Sequence, residues 1–390
     1  MDTEIRFNVH VQQPTVPHYR IPFFDSLAAR YERGLVVSAS RRVVDGPPSA
    51  DIARQYLDLN HSCTPLLGRR AYWQKNMLPH QHMVPGDVAV ICGNPRYLST
   101  YRYVLAARRR GIGIVWWGHG WSPTSKQWAI NLRSTLMRAV DSILLYSDAE
   151  ISEWRDRLPT DIEIVGAQNA IDQSRTVEQR SVWSGARLEK FQRDNELIGR
   201  KIILFCGRLR TRPHTGVDLL LQSLVELKQL NPSYLIVIIG DGEDGERLKH
   251  MAQQLGVASH VLWLGSQFEE SIIAPWFLSA SCFAYPGPIG LSILHAMGYG
   301  LPVVTHADRR RHNPEIVTLR DGWNGLMFKD GDATSLTQQI HRITSDSGLR
   351  GHLSNNALQT AHRDYTLHTM ANRFAQAVEF ARQRTTARQN

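Results

Sequence analysis

Short apolar runs of about four to eight residues recur along the chain, and between them apolar side chains return every three or four positions. In the first half the runs are IRFNVHV, LVVSAS, DVAVICG, GIGIVWWG and SILLYS. In the second they are KIILFCG, YLIVIIG, HVLWLG, CFAYPG and LPVVTH. Runs without polar alternation read as strands covered on both faces, and the helical stretches between them, such as Tyr97 to Arg110, supply the cover. The pattern predicts an α/β protein with two doubly wound, Rossmann-like domains. It weakens around Asn169 to Arg200, which reads as the connection, and resumes until a terminal helix over Leu367 to Arg384. The expected boundaries are residues 1–168, 169–366 and 367–390, the last segment packing back on the first domain. Two such domains in succession should face each other across a cleft. Ligands of doubly wound sheets bind beyond the carboxyl ends of the strands, so loops directly after strands are the places to look.

Composition narrows the class. A chain of 390 residues, 42% apolar and 21% charged, suits two globular domains. No apolar run approaches the roughly 20 residues of a membrane helix. The opening MDTEIRFNVHVQQP lacks the apolar core of a signal peptide, so a cytoplasmic protein is expected. Cys63, Cys92, Cys206 and Cys282 lack metal-type spacing, and the last three lie in apolar runs, as reduced core thiols would. The net charge of +9 is uneven: residues 1–150 hold 18 Lys/Arg against 11 Asp/Glu, and the remainder 27 against 25. The first half would therefore feel an anionic surface. No nucleic-acid-binding signature accompanies the charge, so nucleic acid is not expected as a partner. Anionic lipid is the alternative, and KQWAINLRSTLMR places Trp128, Leu132 and Leu136 at helical spacing beside Lys126, Arg133 and Arg138. The same stripe also fits an ordinary helix packed on its own domain.

Gly240, Gly242 and Gly245 in IIGDGEDGERL match G-x-G-x-x-G, the spacing of a dinucleotide-binding turn. Asp241, Glu243, Asp244 and Glu246 would repel a pyrophosphate there, so a strand-to-helix turn with acids at the helix start is the better reading. Three other loops carry chemistry. FCGRLRTRPHTG sets Arg208, Arg210 and Arg212 after a strand, either as forked donors to a diphosphate or as a solvated basic loop. YPGPIGLSILHAMG brings Gly287 and Gly290, where a ligand could approach the backbone, then Leu291, the hydroxyl of Ser292 and His295 at a helix start. His295 by itself reads more readily as a packed or surface histidine. VWWGHGW holds His119 between two glycines, facing a ligand or merely turning. Asp330 and Asp332 precede ATSLTQQI as a helix cap does. No metal site is expected.

Taken in order, FCGRL, HTGVDLLLQSL, IIGDGEDGERL, VLWLG, YPGPIGLSILHAMGYGLPVV and DGWNGLMF resemble the nucleotide-sugar-binding domain of family 4 glycosyltransferases of the GT-B fold. YSDAEISEW and QNAID resemble that family's inter-domain region; the first half matches more loosely, through the His119 loop and QQPTVPHYRIPFF. The resemblance implies a retaining glycosyltransferase. It would move a hexose or deoxyhexose from a nucleoside-diphosphate sugar to a saccharide, lipid-linked acceptor in cell-envelope polysaccharide synthesis (lipopolysaccharide or capsule), working at the inner membrane face. No cofactor or metal is implied beyond the donor. His119 and Arg208 would take catalytic roles. Arg210, Arg212, Gly265, Gly287, Ile289, Gly290, Leu291, Ser292 and His295 would bind the donor. The chain departs from the family's two glutamates eight positions apart, which are Gly287 and His295 here, and from its lysine, which is Thr215. A nucleotide-sugar isomerase of the same fold and a non-catalytic glycan-binding relative are the alternatives.

Overall fold

The apolar runs form two separate sheets in a computed structural model that describes residues 7–31, 34–44, 47–120, 127–211 and 214–389, the side chains of 127–129 and 389 excepted. The chain divides into two units, residues 1–172 with 367–390, and residues 173–366.

In the first unit the strands are β1 (Val9–Gln12), β2 (Leu35–Ser40), β3 (Leu57–His61), β4 (Cys63–Leu66), β5 (Ala71–Gln74), β6 (Val88–Cys92), β7 (Gly113–Gly118), β8 (Ser142–Leu145) and β9 (Glu163–Gly166). Seven of them form a parallel sheet in the order β3-β2-β1-β6-β7-β8-β9, while β4 and β5 pair as an antiparallel hairpin. Every residue of β6, β7 and β8 is buried, as expected of a sheet covered on both faces. The helix Ser99–Arg109 lies within the sequence between β6 and β7 that carried the helical period. The terminal helix Leu367–Gln389 belongs to this unit: Met370, Phe374, Ala377, Val378 and Ala381 join its core, and Ser142 Oγ donates to Ala377 O (2.6 Å).

The second unit holds β10 (Lys201–Cys206), β11 (Tyr234–Ile239), β12 (Val261–Trp263), β13 (Cys282–Ala284), β14 (Val303–His306) and β15 (Gly325–Phe328), all parallel, in the order β12-β11-β10-β13-β14-β15. The stretch 169–200, which looked like a connection, contains the helices Ser174–Val182 and Ala186–Asp194 of this unit. The four cysteines are free thiols.

Both sheets run outward in opposite senses from a central pair, β1/β6 in one and β10/β13 in the other. Each pair is a point where strand order reverses, and loops leaving its carboxyl ends diverge to leave a crevice. Those loops follow Gln12 and Cys92 in the first unit, and Cys206 and Ala284 in the second.

Candidate functional site

The glycine turn after β11 is explained by packing. Gly240 and Gly242 have φ of 146° and 158°, and a Cβ on either would stand 1.9 Å from Gly207 O or 2.0 Å from Leu209 O. The turn lies flat on the loop after β10, tied to it by Gly207 N–H to Ile239 O (3.0 Å) and Leu209 N–H to Asp241 O (3.0 Å). Its acids are occupied: Asp244, buried, takes both forks of Arg247 (2.5 and 2.7 Å), and Glu243 lies 3.8 Å from Arg208. The turn thus supports the arginine loop.

Arg208 and Arg210 are exposed, Arg208 to 64% of its side chain, and Arg210 lies near the end of β13, where its charge opposes the upward push that burial gives the Tyr285 phenol, held at about 12. Arg212 lies outside the described residues. The loops after β10 and β13 touch directly. A Cβ at Gly287 would meet His214 O and the Thr215 carbonyl at 2.6 Å, and one at Gly216 would meet Gly287 N at 2.8 Å. Gly287 is buried, so the close approach expected of a ligand is made by the chain itself, and no side chain fits there. Thr215, at the family's lysine position, is buried with its hydroxyl unpaired.

Ile289 is likewise committed. Its N–H donates to His312 Nδ1 (3.1 Å) and its carbonyl accepts from Asn313 N–H (3.1 Å). His312 Nε2–H in turn donates to His306 O (2.9 Å), which leaves Nδ1 as the acceptor. Burial and then the neighbouring His306 hold the His312 imidazole down to about 4. Ile289 therefore cannot offer its amide to a ligand. The next three can: among the described residues nothing accepts from the N–H groups of Gly290, Leu291 and Ser292, and all three residues are partly exposed. Beyond them begins the helix Ser292–Gly298.

His295 does not stand alone on that helix. Its Nε2 lies 2.8 Å from Glu270 Oε1, which also accepts from Tyr299 O–H, and its ring packs on Phe277 (4.8 Å between centroids). Burial pushes the Glu270 carboxyl up, and the bonds from His295 and Tyr299 outweigh it, so the group stays below the ordinary carboxylate range. A carboxylate thus stands beside position 295, contributed by residue 270. Gly265, with φ of 67°, makes the turn after β12, its carbonyl accepting from Gly240 N–H (2.8 Å). Phe268, three residues on, is 88% exposed. Asp332 caps the helix Ala333–Ser345 through Ser335 N–H (2.9 Å), while Asp330 pairs with Arg311. Among the described residues no group of three or more His, Cys, Asp or Glu is placed to hold a metal.

In the first unit a cavity of about 420 Å³ opens over the β1/β6 reversal. His119 lines it with Arg20, Arg96, Tyr72, Trp117 and Tyr146. Gln12 and Gln74 link the strand ends beside it: Cys92 N–H donates to Gln12 Oε1 (2.8 Å), Gln12 bonds Gln74, and Gln74 Nε2 reaches Gln13 O (3.0 Å). This network fastens the β4/β5 hairpin against the strand ends. The His119 loop is clamped one residue later, where Gly120 N–H donates to Glu150 Oε1 (2.6 Å) and Gly120 O accepts from Arg133 Nη1 (2.8 Å). A Cβ at Gly120 would strike Trp154 Nε1 at 2.4 Å. Burial first, then Arg133 and Arg20, hold the His119 imidazole down to about 3, so it is neutral, and its Nδ1 has no partner among the described residues. Arg133 and Leu136 are buried, while Lys126 and the side chain of Trp128 lie outside what is described; the helix Gln127–Met137 therefore does not present Arg133 and Leu136 to a membrane.

Known proteins share these features in part. Residues 187–360, nearly all of the second unit, match the family model of glycosyl transferases group 1. The chain is 30% identical over 162 residues to the lipopolysaccharide core biosynthesis glycosyltransferase LpsE of Rhizobium meliloti, covering 41% of this chain and 44% of that one. It spans half or less of the length of the curated relatives that it matches most strongly. Solved structures cover nearly all of it. Anabaena HepE in complex with UDP superposes with a TM-score of 0.67 at 16% identity, over 96% of this chain and 99% of that one. Sucrose-phosphate synthase of Thermosynechococcus elongatus gives 0.69 at 15%, over 95% and 98%. The fold is that of the GT-B glycosyltransferases, two Rossmann-like α/β domains.

Proposed function

We propose that the chain is a retaining glycosyltransferase that moves a hexose or deoxyhexose from a nucleoside-diphosphate sugar to a saccharide acceptor. The observation that carries this reading is the row of three unbonded amides, Gly290 to Ser292, at the strand-order reversal that also bears Arg208 and Arg210. Such a row suits the oxygens of a diphosphate, and forked guanidiniums add charge-assisted bonds of about 1.5–3 kcal/mol each. In the reaction the bond from the sugar's anomeric carbon to the diphosphate breaks and its electron pair stays on the phosphate oxygen. The acceptor hydroxyl oxygen bonds that carbon on the same face, and its proton passes to the departing diphosphate. Donors fixed in place before the reaction stabilise the charge that grows on the leaving group. These protein cations take the part a metal would play. The Glu270–His295 pair would receive the nucleotide ribose, and Gly265 with Phe268 would border the base. The saccharide would enter the cavity beside neutral His119.

The lipopolysaccharide role of the Rhizobium relative supports an envelope-polysaccharide pathway with a lipid-linked acceptor, at the inner face of the membrane. No described helix is long and apolar enough to cross a membrane. One observation favours a non-catalytic glycan-binding protein instead: the backbone around Gly287 leaves no room for the family's first glutamate. Incubation with a panel of UDP-, GDP- and dTDP-sugars, read by released nucleotide, separates the two. Transfer predicts release from at least one donor, increased by acceptor; release from none, with nucleotide still bound, would leave the binding protein.

A further inference from the structure

Arg20 follows β1 in the sequence PTVPHYR, the last residue of a short turn before the helix Ile21–Arg30. It is only 8% exposed, yet no carboxylate among the described residues lies within ion-pair distance of it. Among the described residues the only hydrogen bond of its side chain is Nη1 to Met370 Sδ (3.7 Å), and its guanidinium is otherwise flanked by the rings of Tyr19, Trp117 and Tyr146 at 5.4 to 5.9 Å. Arginines removed from water are almost always paired with an anion, because desolvation is otherwise uncompensated. Aromatic faces return part of that cost, but they leave the donors of the fork unused. Arg20 lines the 420 Å³ cavity. A second arginine, Arg96, lines it too, its guanidinium donating to the carbonyls of Arg69 and Arg70 and to the Tyr72 hydroxyl oxygen, with no carboxylate partner among the described residues. The described lining contains no Asp or Glu, and His119 is neutral. Tyr19, Tyr72, Tyr97, Trp117 and Tyr146 line the same space, and aromatic side chains are the partners on which the apolar face of a pyranose packs.

We infer that this cavity binds a saccharide bearing an oxyanion, a carboxylate or a phosphate ester, with Arg20 as the buried counter-charge and Arg96 at the rim. The inference rests on the acceptor reading of the cavity and narrows the acceptor from saccharides in general to anionic ones. Its geometry is that of a preformed half of an ion pair: the protein carries the desolvated cation before the ligand arrives, so a neutral sugar of the same shape leaves the fork unanswered.

Calorimetric titration of the whole chain with glucuronate, glucose 6-phosphate and glucose tests it. At low salt one or both charged sugars should bind at least about ten-fold more tightly than glucose, the scale of one charge-assisted hydrogen bond, and which of the two does so names the oxyanion. Arg20→Met should abolish the preference without lowering the melting temperature, because it removes a buried charge that has no partner. Arg20→Lys should keep part of the preference. Equal affinity for charged and neutral sugars in the unaltered chain would overturn the inference whatever the variants do, as would a preference that survives Arg20→Met. Nucleotide release measured on the same preparation keeps the two readings apart: charged-sugar binding without turnover of any donor refutes transfer alone, and transfer to neutral sugars without charged-sugar preference refutes the inference alone.

Discussion

The two units put their crevices at the same topological place and furnish them in opposite ways. In the second unit the groups we propose to meet a ligand are backbone amides and exposed guanidiniums on loops that press against each other. In the first they are side chains, the buried Arg20, the half-buried His119 and a ring of aromatics, on and after β1, β5, β6, β7 and β8. What the two share is a clamp behind the working loop: Ile289 is held on both sides by His312 and Asn313, and Gly120 by Glu150 and Arg133. A backbone site tolerates little change in its glycines and much in its side chains. A side-chain site does the reverse, and its specificity can drift without touching the fold.

The sharpest way to break the comparison is to restore a side chain where the backbone excludes one. Gly287→Glu, which recreates a family residue, should abolish donor turnover and cost about 1–3 kcal/mol of stability from overpacking against Thr215. Recovery of activity with an unchanged melting temperature would show that the loops yield. Arg208→Ala should weaken nucleotide binding by about ten- to a hundred-fold while the fold persists, since the residue is exposed on a loop. Calorimetry showing equal affinity removes it from the site. His312→Ala leaves the buried Ile289 N–H without an acceptor, about 1–3 kcal/mol, and should loosen the amide row and lower both stability and nucleotide affinity. A fall in stability with affinity intact would make it a packing residue only.

That histidine also sets a pH limit. His312, His119 and His10 have folded values of about 4, 3 and 3, below the ordinary 6.5, so between those values the unfolded chain binds more protons than the folded one. Stability from these groups is complete above pH 6.5 and is lost as pH falls toward about 3. Melting temperatures across that range should drop, and less steeply in His312→Ala; a flat profile contradicts the buried neutral rings. His295→Ala should cost about 1 kcal/mol of nucleotide affinity. Unlike the family's glutamate, His295→Glu would face Glu270 across the 2.8 Å contact and should bind no better than alanine. Smallest of all is the anionic surface. The excess charge of residues 1–150 predicts weak, salt-sensitive binding to anionic vesicles, and equal binding to neutral vesicles would exclude it.

The same contrast explains what could be read from the sequence. Central strands announce themselves because both faces are covered: β1, β2, β6, β7, β8 and β10, β11, β13, β14 all fall in apolar runs. The missed strands include the edges β3, β9 and β15: β9 and β15 are only four residues long, and no residue of β3, Leu57–His61, is fully buried. The arginine and glycine loops of the second unit were legible because local backbone geometry fixes residue type at fixed spacing. Gly287 and Ile289 were read as ligand contacts because a glycine required by a neighbouring loop leaves the same trace as one required by a ligand. Arg20, Glu270 and His312 carried no signal, since each gains its meaning from residues tens of positions away.

The central claim is that nucleotide binding belongs to the second unit's amide row and arginines, separate from the first unit's buried arginine. Equilibrium titration of UDP and GDP into the unaltered chain, Arg208→Ala and Arg20→Met tests it directly. Saturable binding of one nucleotide that Arg208→Ala weakens at least about ten-fold and Arg20→Met leaves unchanged is the predicted result. Binding of neither, or binding lost in Arg20→Met and kept in Arg208→Ala, would contradict it.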